Sequence, residues 1–168
     1  MSSLRRLMTT TAPASVILIR IAVGSVFLAE GIQKFLFPNE LGAGRFGRIG
    51  IPAPEVMGPF VGLVEIVCGS LIIVGLLRKL AAIPLIIDMC VAVVSTKLPI
   101  LLGHGFWRFS LSKVSSYGFW SMAHEARTDF AMLLGSIFLL VVGAGAWSLD
   151  ARLIAKKLQQ VEKSSDEQ

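Results

Sequence analysis

The chain has 168 residues, of which 54% are hydrophobic, with a mean hydropathy of +0.74 and a formal net charge of +5. That composition excludes an ordinary water-soluble domain and points to a lipid bilayer, where a basic excess suits anionic headgroups. Nucleic acid is excluded as a partner, because the basic residues are scattered over short connections and form no stripe interleaved with stacking aromatics.

The opening residues, MSSLRRLMTTTAPAS, put Arg5 and Arg6 ahead of an apolar run. A cleavable signal begins the same way, but this run is too long and ends at no small-x-small site, so it reads as an uncleaved first span. A span needs roughly 20 apolar residues. Four segments reach that length, at about 14–37, 56–77, 80–102 and 125–147. Lipid leaves only helices or closed barrels to satisfy the backbone, and these runs are too long and unbroken for barrel strands. The predicted fold is therefore all-α: an integral membrane four-helix bundle. Residues 1–150 form one four-span domain, and 151–168 form a cytoplasmic tail.

The connections differ in character. The first, PNELGAGRFGRIGIPAPE, is rich in Gly and Pro, and the second is only Arg78 and Lys79, a tight hairpin. The third, Gly103 to His124, holds Phe106, Trp107, Phe109, Tyr117, Phe119 and Trp120. Aromatics of this kind sit at the membrane–water interface, so this loop is expected to lie on the surface partly as short helix. In the tail, Leu149, Leu153, Leu158 and Val161 share one helix face flanked by lysines, which suits a helix lying along the interface. The closing EKSSDEQ reads as disordered.

An even number of spans puts both termini on one side. That side collects Arg5, Arg6, Arg78, Lys79, Arg152, Lys156, Lys157 and Lys163. The Lys and Arg bias is modest, and it places both termini in the cytoplasm. Cys68 and Cys90 lie inside apolar runs without a CxxC pair, so neither a disulfide nor a dithiol is expected.

The spans carry three cations, Arg20, Lys34 and Lys97, and four carboxylates, Glu30, Glu65, Asp88 and Asp129. A charge at mid-bilayer costs about 2.5–3.5 kcal/mol on insertion scales, so these side chains should turn toward other helices. At about 100° per residue, Arg20, Gly24, Phe27, Gly31 and Lys34 fall within roughly 40° of one line. Glu30 and Lys34 are one turn apart and can pair. In the second span Gly58, Gly62, Glu65 and Gly69 make one stripe, and the Gly58–Gly62 GxxxG admits a close helix neighbour. Depth from the span ends predicts an inner-half ion pair of Arg20 with Asp88. It also predicts an outer-half polar cavity of Glu30, Lys34 and Glu65, with Lys97 and Asp129 alongside. Buried pairs of this kind also serve as structural glue.

Several stretches resemble the DoxX family of small integral membrane proteins. RIAVGSVFLAEGIQKF is similar to that family's opening pattern, FGRIGIPAP to its Phe–Gly–Ile–Pro loop, GLVEIVCGSLIIVGL to its second span, and GAGAWSLD to its closing segment. Their order and spacing cover about Arg20 to Asp150, and the aromatic third loop is longer than the family pattern. The resemblance implies a four-helix membrane fold in a bacterial inner membrane. It does not fix a role: relatives include a subunit linked to thiosulfate and quinone oxidation and members that join membrane oxidoreductase assemblies with soluble redox enzymes, and many others have no assigned activity.

Three functions fit these residues. The first is a non-catalytic membrane subunit or scaffold of a redox or oxidative-stress assembly, its partners a soluble redox enzyme or other membrane subunits. The second is an oxidoreductase subunit whose Glu30, Lys34 and Glu65 hold a quinone, since a quinone headgroup needs hydrogen-bond donors and a proton acceptor near that depth. The third is a small transporter or proton-handling protein, which four spans without an inverted repeat would make as an oligomer. His104 and His124, the only histidines, match no metal-site spacing. No Ser–His–Asp order or activated cysteine supports nucleophilic catalysis.

Overall fold

The structure is a computed structural model that describes residues 12–166, without the side chains of 157, 158 and 161–166. Arg5 and Arg6 therefore lie outside the described residues, as do the side chains of Lys157, Leu158, Val161 and Lys163.

Helix α1 runs Val16–Leu36. It stops just before Pro38, whose ring disfavours helical geometry in the preceding residue. The connection read as a Gly- and Pro-rich loop contains a short helix, α2, Ala43–Ile49, closed by Gly50 at φ +96°. Helix α3, Pro54–Val74, opens with proline at its first position, where no N–H is needed, and closes at Gly75 with φ +69°. Arg78 is already helical, so the tight turn is Gly75 to Leu77 and not the Arg78–Lys79 pair expected from sequence.

Helix α4 spans Arg78–Leu102. Its stretch Val93–Lys97 is a π-helical turn. Pro99 explains the wide turn: its ring would strike the carbonyl of Ser95 in a regular helix, and it has no N–H to bond there. Helix α5 covers Phe119–Val142, starting and ending earlier than the fourth span expected at 125–147. Helix α6 covers Leu149–Asp166, including most of the run read as disordered.

Of the third connection, 103–118 is not helical, and only its last part, from Phe119, is. Phe106 and Phe109 exchange backbone hydrogen bonds of 3.0 and 2.8 Å across a tight turn, and Ser110 N–H donates to Ile49 O at 2.8 Å. Positive φ at Gly103, Trp107 and Gly118 interrupts any helix before Phe119. The aromatics Phe119 and Trp120 instead form the first turn of α5.

Three helices, α1, α3 and α4, are long and apolar enough to cross a membrane. Helix α5 has the length, but carries Glu125, Arg127 and Asp129 in its first half. All elements longer than a bridge are helical among the described residues. Outward apolar side chains such as Leu18, Phe60, Ile87 and Val141, each more than half exposed, suit contact with acyl chains.

The closest packing joins α1 to α3. A Cβ placed on Gly31 would meet the Gly62 carbonyl oxygen at 2.6 Å, and one on Gly69 would meet Gly24 O at 2.9 Å. The GxxxG pair is split between partners, since Gly58 abuts Gly42 and Ala43 while Gly62 abuts α1. Phe27, Ile72, Leu85 and Leu139 are among the most deeply buried apolar side chains of the core, each at most 1% exposed. Helix α5 packs along α4 and buries Ser136 and Leu139.

Candidate functional site

Arg20 closes one end of the helix assembly. Its Nε donates to Ile72 O at 3.0 Å, its Nη1 to Ala144 O at 3.1 Å and Trp147 O at 2.6 Å, and its Nη2 to Ile73 O. These are carbonyls of the last turn of α3, where Ile72 O also accepts the Gly75 N–H at 3.1 Å, and of the 143–148 connection. Asp150 completes this knot: its Oδ1 accepts from Leu77 N–H at 3.0 Å, and its own N–H donates to Gly75 O at 3.0 Å. Burial pushes the Asp150 carboxyl upward, opposed by the N–H groups of Leu77 and Arg78 and by the Arg78 and Arg20 charges.

The structure does not pair Arg20 with Asp88. Arg20 is four residues into α1, about 6 Å deep, whereas Asp88 is ten residues into α4, about 15 Å deep. Placing both in the same half of the span concealed a difference of more than one helical turn.

Asp88 instead stands beside Glu65, their side chains within hydrogen-bonding reach. Glu65 is nine residues before the end of α3. Two antiparallel helices joined by a tight turn bring those positions to one level, so counting from the turn would have found this contact. Lys34 of α1 completes the group, its Nζ 2.6 Å from Glu65 Oε2 and 4.0 Å from Glu30 Oε2.

Lys97 pairs with Asp129 of α5 at 3.1 Å. The π-helical turn presents Ser95, Thr96 and Lys97 inward together, exposed by 1, 7 and 8%. A regular helix would spread three consecutive residues over about 200°.

These side chains surround a cavity of about 310 Å³ lined by Glu30, Lys34, Glu65, Asp88, Thr96 and Asp129, with apolar walls that include Phe27 and Met89. Lys97 reaches it only through Asp129. Glu30 is at the rim: its side chain is 46% exposed, against 3% for Glu65. It sits about 80° round α1 from Arg20, beyond the inward stripe, so the expectation that every charge of this helix is sealed inside fails for Glu30.

Carboxylates outnumber cations in the cavity wall, with Glu30, Glu65, Asp88 and Asp129 against Lys34 and Arg45. Asp88 Oδ2 is buried without a hydrogen-bond partner. Lys34 is the one cation in ion-pair contact with the Glu30–Glu65 side of the group among the described residues. Such a site can give charge-assisted N–H bonds from Lys34, and from Arg45 in its wall, to ligand oxygens and take hydrogen bonds from ligand hydroxyls.

Sequence reasoning missed two other contributors. Helix α2 supplies Arg45, Phe46 and Ile49 to the cavity wall, although its FGRI stretch inside a glycine-rich loop gives only a weak helical signal. Ser95 and Thr96 lie in the π-helical turn, for which Pro99 was the available signal.

The comparisons with known proteins fall on this frame. The DoxX family model matches residues 15–98, half of the chain, covering α1, α2, α3 and the part of α4 that carries Asp88 and Lys97. The chain is 56% identical over 148 residues to an uncharacterized membrane protein of Mycobacterium tuberculosis, across 88% of this chain and 86% of that relative. No solved structure matches it. With its apolar helices, the family match and this extended likeness, the chain is a membrane protein and belongs to the DoxX family.

Proposed function

We propose that this protein is a membrane subunit of a redox assembly and holds the ring of a quinone in the Lys34–Glu65–Asp88 cavity. The observation that carries this reading is an apolar-walled space of about 310 Å³ with one lysine and an excess of carboxylate oxygens. That is near the lower end of the usual ligand-pocket range, enough for a ring whose apolar tail passes out between helices into lipid. Lys34 would donate to a ring oxygen in the oxidised form. Glu65 and Asp88 would accept from the ring hydroxyls in the reduced form and hand protons on, while a partner subunit carries the electrons.

In this reading α1, α3, α4 and α5 are the four rods of a membrane bundle, built from residues 1–150. Both termini are cytoplasmic in a bacterial inner membrane, and the chain from 151 is an interfacial tail. The same face of the bundle that holds the Phe106–Trp120 aromatics is then external.

The test is quinone content. Protein purified in mild detergent should carry extractable quinone, and both Lys34→Met and Glu65→Gln should lower it several-fold while the protein stays monodisperse. Equal quinone content in the wild type and both variants overturns the reading.

A scaffold role has its own supporting observation, since Trp107 and Trp120 are 84 and 83% exposed. Exposed tryptophans suit interface anchors on a protein partner. Trp107→Ala with Trp120→Ala should then release a soluble redox enzyme that co-purifies with the wild type, without changing quinone content. Retention of that enzyme by the double variant removes the scaffold reading.

A further inference from the structure

A second cavity, of about 470 Å³, lies over α2 at the Lys34 end of the assembly. It is lined by Arg45, Arg48, Lys113 and Glu40, together with the serines Ser110 and Ser112. Three cations against one carboxylate leave an excess of two positive charges.

The cations are not equivalent. Arg48 is engaged, its two Nη atoms donating to Asn39 O at 2.8 Å and Glu40 O at 3.1 Å. Arg45 is half-buried on α2 and lines both cavities. Its guanidinium, which carries five N–H donors in a rigid fork, makes no hydrogen bond or ion pair with the described residues. Lys113 is exposed at the rim.

A half-buried guanidinium that meets no acceptor gives up hydration without compensation. A bound oxyanion would supply that compensation. The charge excess matches a dianion, and the fork, the ammonium group and two serine hydroxyls offer donors from several directions, as a tetrahedral anion requires. The loop that supplies Ser110, Ser112 and Lys113 is tied to α2 through the Ser110–Ile49 bond, so both halves of the site are held by one hydrogen-bonded frame.

We propose that the vestibule around Arg45, Arg48 and Lys113 binds a phosphate-type oxyanion, with Arg45 as its principal ligand. The anion arrives either as free phosphate or as the headgroup of an anionic phospholipid. The inference does not rest on the quinone reading, because the lining residues that carry it are distinct from Lys34, Glu65 and Asp88.

The experiment has two arms on the full chain. Inorganic phosphate is titrated calorimetrically into detergent-purified protein. In parallel, native mass spectrometry counts phosphatidylglycerol retained from nanodiscs that also contain excess phosphatidylcholine. Saturable phosphate binding that weakens about tenfold in Arg45→Gln and recovers in part in Arg45→Lys supports a free anion. One retained phosphatidylglycerol, lost in Arg45→Gln, with no phosphate binding supports the headgroup. Absence of both, or an equal loss in Arg152→Gln on the distant α6, overturns the site and reduces it to nonspecific basic surface. Quinone content, read on the same samples, separates this outcome from that of the inner cavity.

Discussion

Glu65 and Asp88 come to the same level because one lies nine residues before the Gly75–Leu77 turn and the other ten residues into the helix that follows it. A sharp turn between antiparallel helices makes such positions neighbours, whatever their separation in sequence. Two carboxyl groups are thus set side by side in apolar surroundings, with Lys34 of a third helix against them. The cost of that arrangement makes it sensitive to the removal of any one member.

Lys34→Met leaves Glu65 buried without its cation, and stranding one partner of a buried pair costs about 3–5 kcal/mol. Replacing both, as in Lys34→Met with Glu65→Gln, should recover most of that loss. A double-mutant cycle on detergent unfolding checks this. Additive losses would mean that the 2.6 Å pair carries no coupling.

The α1–α3 seam tolerates no side chain. Gly31→Val puts a Cβ where the Gly62 carbonyl oxygen stands 2.6 Å away, and overpacking of this kind costs about 1–3 kcal/mol. Gly47→Ala on α2 meets only the Pro54 ring, at 3.6 Å, and should melt within a degree or two of wild type. Equal melting temperatures for Gly31→Val and Gly47→Ala would contradict the seam.

Arg20 satisfies four carbonyl oxygens with one planar group. Arg20→Lys cannot reproduce that fork and should destabilise nearly as much as Arg20→Met, by about 2–4 kcal/mol. Thermal unfolding of both variants tests it. A lysine variant as stable as wild type would show that charge alone matters at this position.

The Asp150 carboxyl, raised by burial, keeps its proton to higher pH in the folded chain than in the unfolded one. Its contribution to stability is therefore complete below the unfolded value of about 3.9 and lost as pH rises through the folded value. Asp150→Asn cannot titrate. The stability of wild type relative to this variant should fall as pH is raised from about 4 to 7, read from melting curves. A difference that grows over that interval would reverse the assignment.

Pro99 holds the π-helical turn by denying Ser95 its regular partner. Pro99→Ala should let α4 close into a regular helix and rotate Lys97 away from Asp129, now 3.1 Å distant. A cysteine pair at positions 97 and 129 should then be bridged efficiently by a short bifunctional thiol reagent when Pro99 is kept and poorly when Pro99→Ala is added. Equal yields would place the cause of the wide turn elsewhere.

Hydropathy and spacing by themselves determined that apolar helices would form and which side of α1 would turn inward. Arg20, Gly24, Phe27 and Gly31 share a line in sequence and are all buried, because rotation along one helix is a local property set by 3.6 residues per turn. Which group each charge meets was not local. Arg20 took backbone carbonyls and not Asp88, Asp88 joined Glu65, and the FGRI stretch folded over the cavity mouth to bring Arg45 between two cavities. Those outcomes depend on the axial level and rotation of one helix against another. These follow from turn geometry, from the Gly31–Gly62 approach and from the wide turn at Pro99, so only the assembled tertiary structure decided them.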